Sequence, residues 1–235
     1  MTKKEFILLL EKENIKIDDH QFSQLEKYFE LLVDYNKKVN LTAITNKEEV
    51  FLKHFFDSLT VTKVVDFNQK QKICDVGTGA GFPGLVLKIL YPETELTLVD
   101  SLNKRIKFLD LVISSLKLKN VYTIHSRAED YGKNNKEKFD VVTARAVTQL
   151  PKLLELCVPI VKVGGVFISM KADAEEEIRS SKRAMSELKV SLEKKEVFSL
   201  PKENSSRTIL MFRKNEKTKK EFPRSPSEIK KQPLH

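Results

Sequence analysis

The 235-residue chain predicts an α/β fold: a Rossmann-like, mostly parallel sheet whose last strand runs antiparallel, with an N-terminal helical extension. Three observations carry this. From residue 72 onward, short apolar runs alternate with helical periodicities, the order that gives a doubly wound sheet with helices on both faces. A glycine-rich turn, Gly77-Thr78-Gly79-Ala80-Gly81-Phe82-Pro83-Gly84, joins the first run to the first periodic segment and holds four of the chain's 7 glycines. Residues 1–66 read as helical, with apolar positions recurring every three or four residues.

In order along the chain, Thr2-x-x-Glu5 forms a capping-box pattern before Phe6, Ile7, Leu9 and Leu10. Asp18-Asp19 can cap a second helix bearing Phe22, Leu25, Phe29, Leu32 and Val33 on one face. The segment Asn40-Leu41-Thr42-Ala43-Ile44 breaks it. Thr45-x-x-Glu48 then opens a third helix with Val50, Phe51, Phe55, Leu59 and Val65. Strands are expected near 72–76, 95–100, 121–125, 139–144 and 164–170, and helices near 84–91, 103–117, 148–162 and 174–189. Val141-Val142 and Val166-Phe167-Ile168 have the continuous apolar character of buried parallel strands. Segments 191–200 and 207–213 read as a closing antiparallel hairpin joined by 201–206. The chain divides into a helical region, 1–66, the α/β domain, 67–214, and a basic tail, 215–235.

Composition, 40% hydrophobic and 32% charged, fits a globular protein. No apolar run approaches the roughly 18 residues of a membrane span, and Met1–Phe6 is followed by no small-residue cleavage site, so secretion is not expected. Cys74 and Cys157 form no disulfide framework and read as core residues of a reducing, cytoplasmic protein. The net charge of +9 points to a polyanionic partner. Residues 214–235 hold seven Lys/Arg against three Glu, so +4 of that charge sits there. Prolines 223, 226 and 233 oppose a regular helix, and the expected form is an extended basic tail.

The glycine turn after a strand and before a helix is a nucleotide-type cofactor site, with Asp100 closing the next strand. Residues 79–84 also satisfy the dinucleotide G-x-G-x-x-G pattern. Asp75 argues against NAD, because it would sit near a pyrophosphate. It would suit the cationic amino group of S-adenosylmethionine. Ala128-Glu129-Asp130 after the third strand suggests polar contacts to an adenine edge. The arrangement resembles a class I S-adenosylmethionine-dependent methyltransferase.

Five segments make the resemblance specific: Tyr35-Asn36-Lys37-Lys38-Val39-Asn40-Leu41-Thr42, His54-Phe55-Phe56-Asp57-Ser58-Leu59, the turn 77–84, Ser126-Arg127-Ala128-Glu129 and Thr143-Ala144-Arg145-Ala146. Together they resemble the bacterial 16S ribosomal RNA guanine-N7 methyltransferase family (small-subunit methyltransferase G, or glucose-inhibited division protein B) from about residue 20 to 234. The tail departs slightly, lacking a second basic residue and a glycine around Ser225-Pro226-Ser227. The resemblance implies an rRNA-processing enzyme, a monomer, acting on 16S rRNA or a small-subunit assembly particle. It puts Gly77 and Phe82 in the cofactor loop, Ala128-Glu129 on the adenine side and Arg145 at the mouth.

With the residue reading, the expected cofactor set is Asp75, Gly77, Gly79, Gly81, Phe82, Asp100, Ser101, Ala128, Glu129 and Arg145. Arg145 is also the expected catalytic residue, by organising the mouth; its guanidinium cannot act as a base. Lys38, Asn40, Arg224, Lys230 and Lys231 are the candidate RNA contacts. Structural readings stand beside these: Asp100 as a helix N-terminal acid, Phe82 as core, Arg145 as an ion-pair partner of a carboxylate such as Asp75 or Glu129, and His54 as a structural residue, against its forming a polar pair with Asp57 near the site. Guanine N7 has a free lone pair, so no general base is required. Consistently, no Asn/Asp-Pro-Pro-Tyr/Phe motif follows the fourth strand, Cys157 is not preceded by proline, and no His/Cys cluster has metal-ligand spacing. The alternatives are an NAD-dependent oxidoreductase and an RNA-binding protein that senses S-adenosylmethionine without methyl transfer.

Overall fold

A computed structural model describes residues 1–203 and 205–235; Asn204, in the loop expected over 201–206, lies outside the described residues. The first two helices, α1 (Lys3–Lys12) and α2 (Asp19–Asn36), start on reciprocal caps, Thr2 with Glu5 and Asp18 with Gln21. The third cap moves one residue from the expected Thr45 to Asn46, whose side chain accepts from the amides of Glu48 and Glu49. Asparagine is among the strongest N-caps, and here it reaches two free amides at once. The helix that follows is not uniform. It runs as α3 (Lys47–Val50), a π-helical turn (Phe51–Phe56), α4 (Asp57–Leu59) and a 3-10 turn (Thr60–Lys63). Such widened turns recur at functional sites, and this one carries His54 and ends at Asp57.

The sheet has seven strands: β1 (Lys72–Val76), β2 (Glu95–Asp100), β3 (Val121–His125), β4 (Phe139–Arg145), β5 (Val161–Lys171), β6 (Val190–Ser199) and β7 (Ser206–Lys214). Their spatial order is β3-β2-β1-β4-β5-β7-β6, with β7 antiparallel to both neighbours and the other pairings parallel. Helices α5 (Gly84–Leu90), α6 (Asn103–Ser115), α7 (Ala128–Asn134), α8 (Leu150–Cys157), α9 (Glu175–Ser180), α10 (Lys182–Leu188) and α11 (Pro226–Lys231) complete the chain. Strand order reverses between β1 and β4, which opens a crevice at their carboxyl ends.

Side chains alternate across the sheet into two cores. Ile73, Val141, Ile168 and Met211 face α1, α2, the 47–63 segment, α5 and α6. Cys74, Val142, Phe167 and Phe212 face α7, α8 and α10. Phe6, Phe22, Phe51 and Phe55 are all buried in the first core, each worth about 1.5–3 kcal/mol on burial. The N-terminal extension thus shares the sheet's own core. Cys74 and Cys157 are buried free thiols. Among the described residues no helix is long and apolar enough to cross a membrane.

Four expectations are corrected. The helix expected over 148–162 ends at Cys157, because Pro159 forces a 3-10 turn and β5 then begins at Val161. The helix expected over 174–189 breaks at Ser181. Helix α7 was not expected, since its seven residues, which include Gly132, carry no apolar period. The tail is not extended. Ser225 and Glu228 form a capping box, and Pro226 sits at the start of α11, where a missing N–H costs nothing. Phe222, Ile229 and Leu234 are buried.

Candidate active site

The glycine turn leaves the carboxyl end of β1. Gly77, Gly79 and Gly81 have φ of 68°, 61° and 100°, backbone conformations that L side chains rarely adopt. Space adds a second constraint at two of them. A Cβ on Gly81 would fall 2.5 Å from Tyr28 Oη, and one on Gly77 2.6 Å from Val147, whereas Gly79 faces open space. Tyr28 of α2 donates its hydroxyl to the Ala80 carbonyl. Its ring stacks on Phe55 and Phe82, with centroids 5.4 and 5.6 Å away. The helical extension therefore fixes the turn from behind.

Two carboxylates hold the turn's amides. Asp75 is fully buried, and its Oδ2 accepts from Thr78 Oγ1 at 2.7 Å and from the Gly84 amide at 2.9 Å. Its Oδ1 has no hydrogen-bond partner. Burial pushes this carboxyl up to about 6, opposed by the Thr78 and Gly84 hydrogen bonds and by the charge of Arg145. Asp100 accepts from the Gly79 amide at 2.9 Å, the Leu102 amide at 2.9 Å and Arg105 at 3.1 Å. A pyrophosphate at this turn would need amides of the kind that Asp75 and Asp100 already occupy, and would meet two fixed anions. The dinucleotide alternative is therefore disfavoured.

A first cavity of about 390 Å³ opens at the ends of β1, β2 and β3, within the range of about 300–1,000 Å³ usual for small-ligand sites. Of the expected cofactor residues, Gly77, Asp100, Ser101, Ala128 and Glu129 line it. Glu129 is buried and accepts from Arg127 Nε at 2.7 Å. Val76, Val99 and Leu156 add apolar wall. Carboxylates beside an apolar slot fit a nucleoside carrying cationic groups, as S-adenosylmethionine is. Asp75, Gly79, Gly81 and Phe82 build the turn and do not line the cavity.

A second cavity of about 440 Å³ adjoins the first, the two sharing Ala146. Its wall includes Ile44, Met170 and Ala172, with Lys53, His54, Asp57, Arg145, Lys171 and Arg207 as polar groups. Arg145, the last residue of β4, lies here. Its guanidinium donates to Asp57 Oδ2 at 2.9 Å, to the Lys53 carbonyl at 3.2 Å and to His54 Nδ1 at 3.3 Å. Its ion-pair partner is thus Asp57, neither Asp75 nor Glu129. Asp57 also accepts from Arg207 Nε at 3.2 Å. His54 Nδ1 lies between the Arg145 guanidinium and the Lys53 carbonyl, the latter 3.2 Å away, and Nε2 lies 3.0 Å from Thr42 Oγ1, so both ring nitrogens are engaged. Burial and the Arg145 charge push His54 down to about 3, so it stays neutral.

Lys53, Lys171 and Arg207 were not singled out in the sequence. Lys171 ends β5 and pairs in register with Thr208, the neighbour of Arg207. Because β7 runs antiparallel, its beginning meets the carboxyl edge of the parallel strands. Looking for basic residues at that edge would have found both. Lys38 and Asn40 are exposed, on the segment between α2 and Ile44. Asn36, not Asn40, organises that segment by accepting from the Leu41 and Thr42 amides. Lys230 and Lys231 are exposed, whereas Arg224 is paired with Glu155. Among the described residues no His/Cys/Asp/Glu group could hold a metal ion.

Comparison with known proteins agrees with this arrangement. The family model described as rRNA small subunit methyltransferase G matches residues 21–209. Over 237 residues the chain is 47% identical to the Ribosomal RNA small subunit methyltransferase G of Lysinibacillus sphaericus, spanning 100% of both chains. It is likewise 47% identical to the protein of that name from Bacillus subtilis, spanning 100% of this chain and 99% of the other. Among solved structures, M. jannaschii TYW2 in complex with AdoMet has the same fold, with a TM-score of 0.56 at 18% identity over 68% of this chain and 76% of that one.

Proposed function

The chain belongs to the rRNA small subunit methyltransferase G family, and from that premise we propose that it methylates N7 of a guanine in 16S ribosomal RNA, using S-adenosylmethionine held in the first cavity. When bound, that cofactor supplies an electrophilic methyl group on a sulfonium. Asp100 and Ser101 are placed to meet ribose hydroxyls, and Ala128 with Glu129 to meet the adenine. The target guanine enters the second cavity. There Ile44, Met170 and Ala172 offer apolar wall to its ring, and Lys53, Lys171 and Arg207, each held in an ion pair, frame its polar side.

One observation carries the N7 reading: among the described residues, the second cavity has no side chain free to remove a proton. Both His54 ring nitrogens are engaged, Nδ1 by Arg145 and the Lys53 carbonyl and Nε2 by Thr42, and Asp57 is held by Arg145 and Arg207. Exocyclic-amine methylation would need a proton acceptor, whereas N7 attack needs only alignment and a fixed electrostatic field. Arg145 contributes charge and rigidity at the mouth. Lys38 and Asn40 lie on the segment leading into the second cavity and are proposed RNA contacts, as are the exposed Lys230 and Lys231. The proposed working form is a monomer in the cytoplasm, acting on 16S rRNA or an assembling small subunit.

The test is methyl transfer from tritiated S-adenosylmethionine into small-subunit RNA, followed by borohydride reduction and aniline cleavage. Strand scission at a labelled guanine is expected. Label without scission would point to another atom, and no label at all to a cofactor-sensing RNA binder.

A further inference from the structure

The carboxyl-terminal segment packs behind the first cavity. Arg224 Nε and Nη2 each donate to the Glu155 carboxylate at 2.7 Å, and the Arg224 amide adds a third bond at 3.1 Å. Glu155 is completely buried in α8, and its chain neighbour Leu156 lines the first cavity. Arg224 also donates to the Gln232 carbonyl at 3.0 Å, which closes the segment on itself around α11. Phe222 and Leu234 belong to the same core as Leu153 and Leu154 of α8, against which Ala128 and Tyr131 of α7 also pack.

The tightest junction is at Gly132 of α7. A Cβ there would lie 3.0 Å from Pro223 and 3.7 Å from the Leu156 carbonyl. Three elements meet at that point: the tail, α8 and α7. Ala128 and Glu129, which line the cavity, lie on the first turn of the same short helix. Seven residues with one glycine form a weak helix in isolation, so α7 depends on what packs against it.

We propose that Arg224 and Glu155 are positioning residues for cofactor binding, with the tail acting as a strap that holds α7 and α8 in place as the adenine-side wall. This rests on the first cavity being the S-adenosylmethionine site. A buried carboxylate engaged by a bidentate guanidinium and a main-chain amide is fixed in direction as well as position. The strap therefore transmits its own order to Leu156 and, through Gly132, to Ala128 and Glu129. The +4 of this segment is then not free for RNA at Arg224, whose charge is already paired.

The test compares full-length Arg224→Lys, Gly132→Ala and the double variant Lys230→Gln/Lys231→Gln with the parent, well below their melting temperatures. Arg224→Lys keeps the charge and loses the planar fork; Gly132→Ala presses α7 away from Pro223. Both should weaken S-adenosylhomocysteine binding and raise KM for S-adenosylmethionine, Arg224→Lys by about tenfold, the scale of one lost charge-assisted hydrogen bond. kcat and KM for RNA should stay within about twofold. Hydrogen exchange should rise in α7 more than in β1 or β4, and the Lys230/Lys231 variant should bind S-adenosylhomocysteine normally. Unchanged cofactor affinity in both Arg224→Lys and Gly132→Ala overturns the proposal, as does a raised KM for RNA alone. If the parent itself fails to bind S-adenosylhomocysteine, it is the cofactor reading that fails.

Discussion

The imidazole of His54 lies nearly parallel to the ring of Phe82, with centroids 4.5 Å apart and planes 18° apart. His54 comes from the π-helical turn of the N-terminal region and Phe82 from the glycine turn, so this stack joins the N-terminal region to the turn. The Arg145 guanidinium lies over the same Phe82 ring, 5.2 Å from its centroid. Phe82 is buried in the first core, in keeping with its structural reading, and is not a wall of the first cavity. It is the platform on which the Arg145–His54 pair rests.

Replacing His54 by Phe should keep the stack on Phe82 and lose the acceptor for Arg145. Methyl transfer should fall about tenfold or more, the effect of a hydrogen bond to a charged group, while S-adenosylhomocysteine affinity stays within about twofold. Since His54 is pushed down to about 3, it is neutral above roughly pH 4 and should give kcat no titration between pH 6 and 8. A pH–rate profile whose step near 6.5 disappears in His54→Phe would refute the neutral assignment.

Arg145→Lys offers a point charge where a fork now serves Asp57, His54 and the Lys53 carbonyl. Turnover should fall about 10- to 100-fold, with RNA affinity less affected. Single-turnover rates check this; near-normal turnover would make Arg145 peripheral.

Gly79→Val tests the turn. Nothing lies within 4 Å of a Cβ there, yet φ is +61°. A β-branched residue must distort the turn or leave it, so cofactor binding should be lost while thermal stability drops only by about 1–2 kcal/mol. Calorimetry with S-adenosylhomocysteine decides it, and undiminished affinity would sink the site.

Asp75 gives a pH dependence with a defined sign. Its carboxyl is raised from 3.8 to about 6 by burial, so between those values the folded state binds more protons than the unfolded one. Its contribution is complete below about pH 4 and is lost as pH rises to about 6, a change of about 3 kcal/mol. Urea unfolding of Asp75→Asn, which keeps an oxygen for Thr78 and Gly84, should gain on the parent across that window. A stability difference independent of pH would count against the raised value.

Much of this was legible in the sequence. Strand and helix alternation, the closing hairpin and the glycine turn all follow from local patterns, and Asp100 and Ala128-Glu129 stand where strands end. What escaped depended on chain-distant partners. Arg145 was expected near Asp75 or Glu129, but Asp57 lies 88 residues away in sequence, and only the widened turn at 51–56 brings it to β4. Arg207 and Lys171 come together because β7 is antiparallel, a relation no single segment reveals. The tail departs from the extended form its prolines suggest, because Pro226 opens α11 and Phe222 and Leu234 are buried.

The central claim, methyl transfer to N7 without a general base, is tested most directly with 16S rRNA transcribed entirely with 7-deazaguanosine. That base keeps its pairing edge and replaces N7 with a carbon that has no lone pair. Under conditions where the unmodified transcript is labelled, this RNA should take up no methyl group yet still compete for binding. Continued labelling of the 7-deazaguanosine transcript would contradict it.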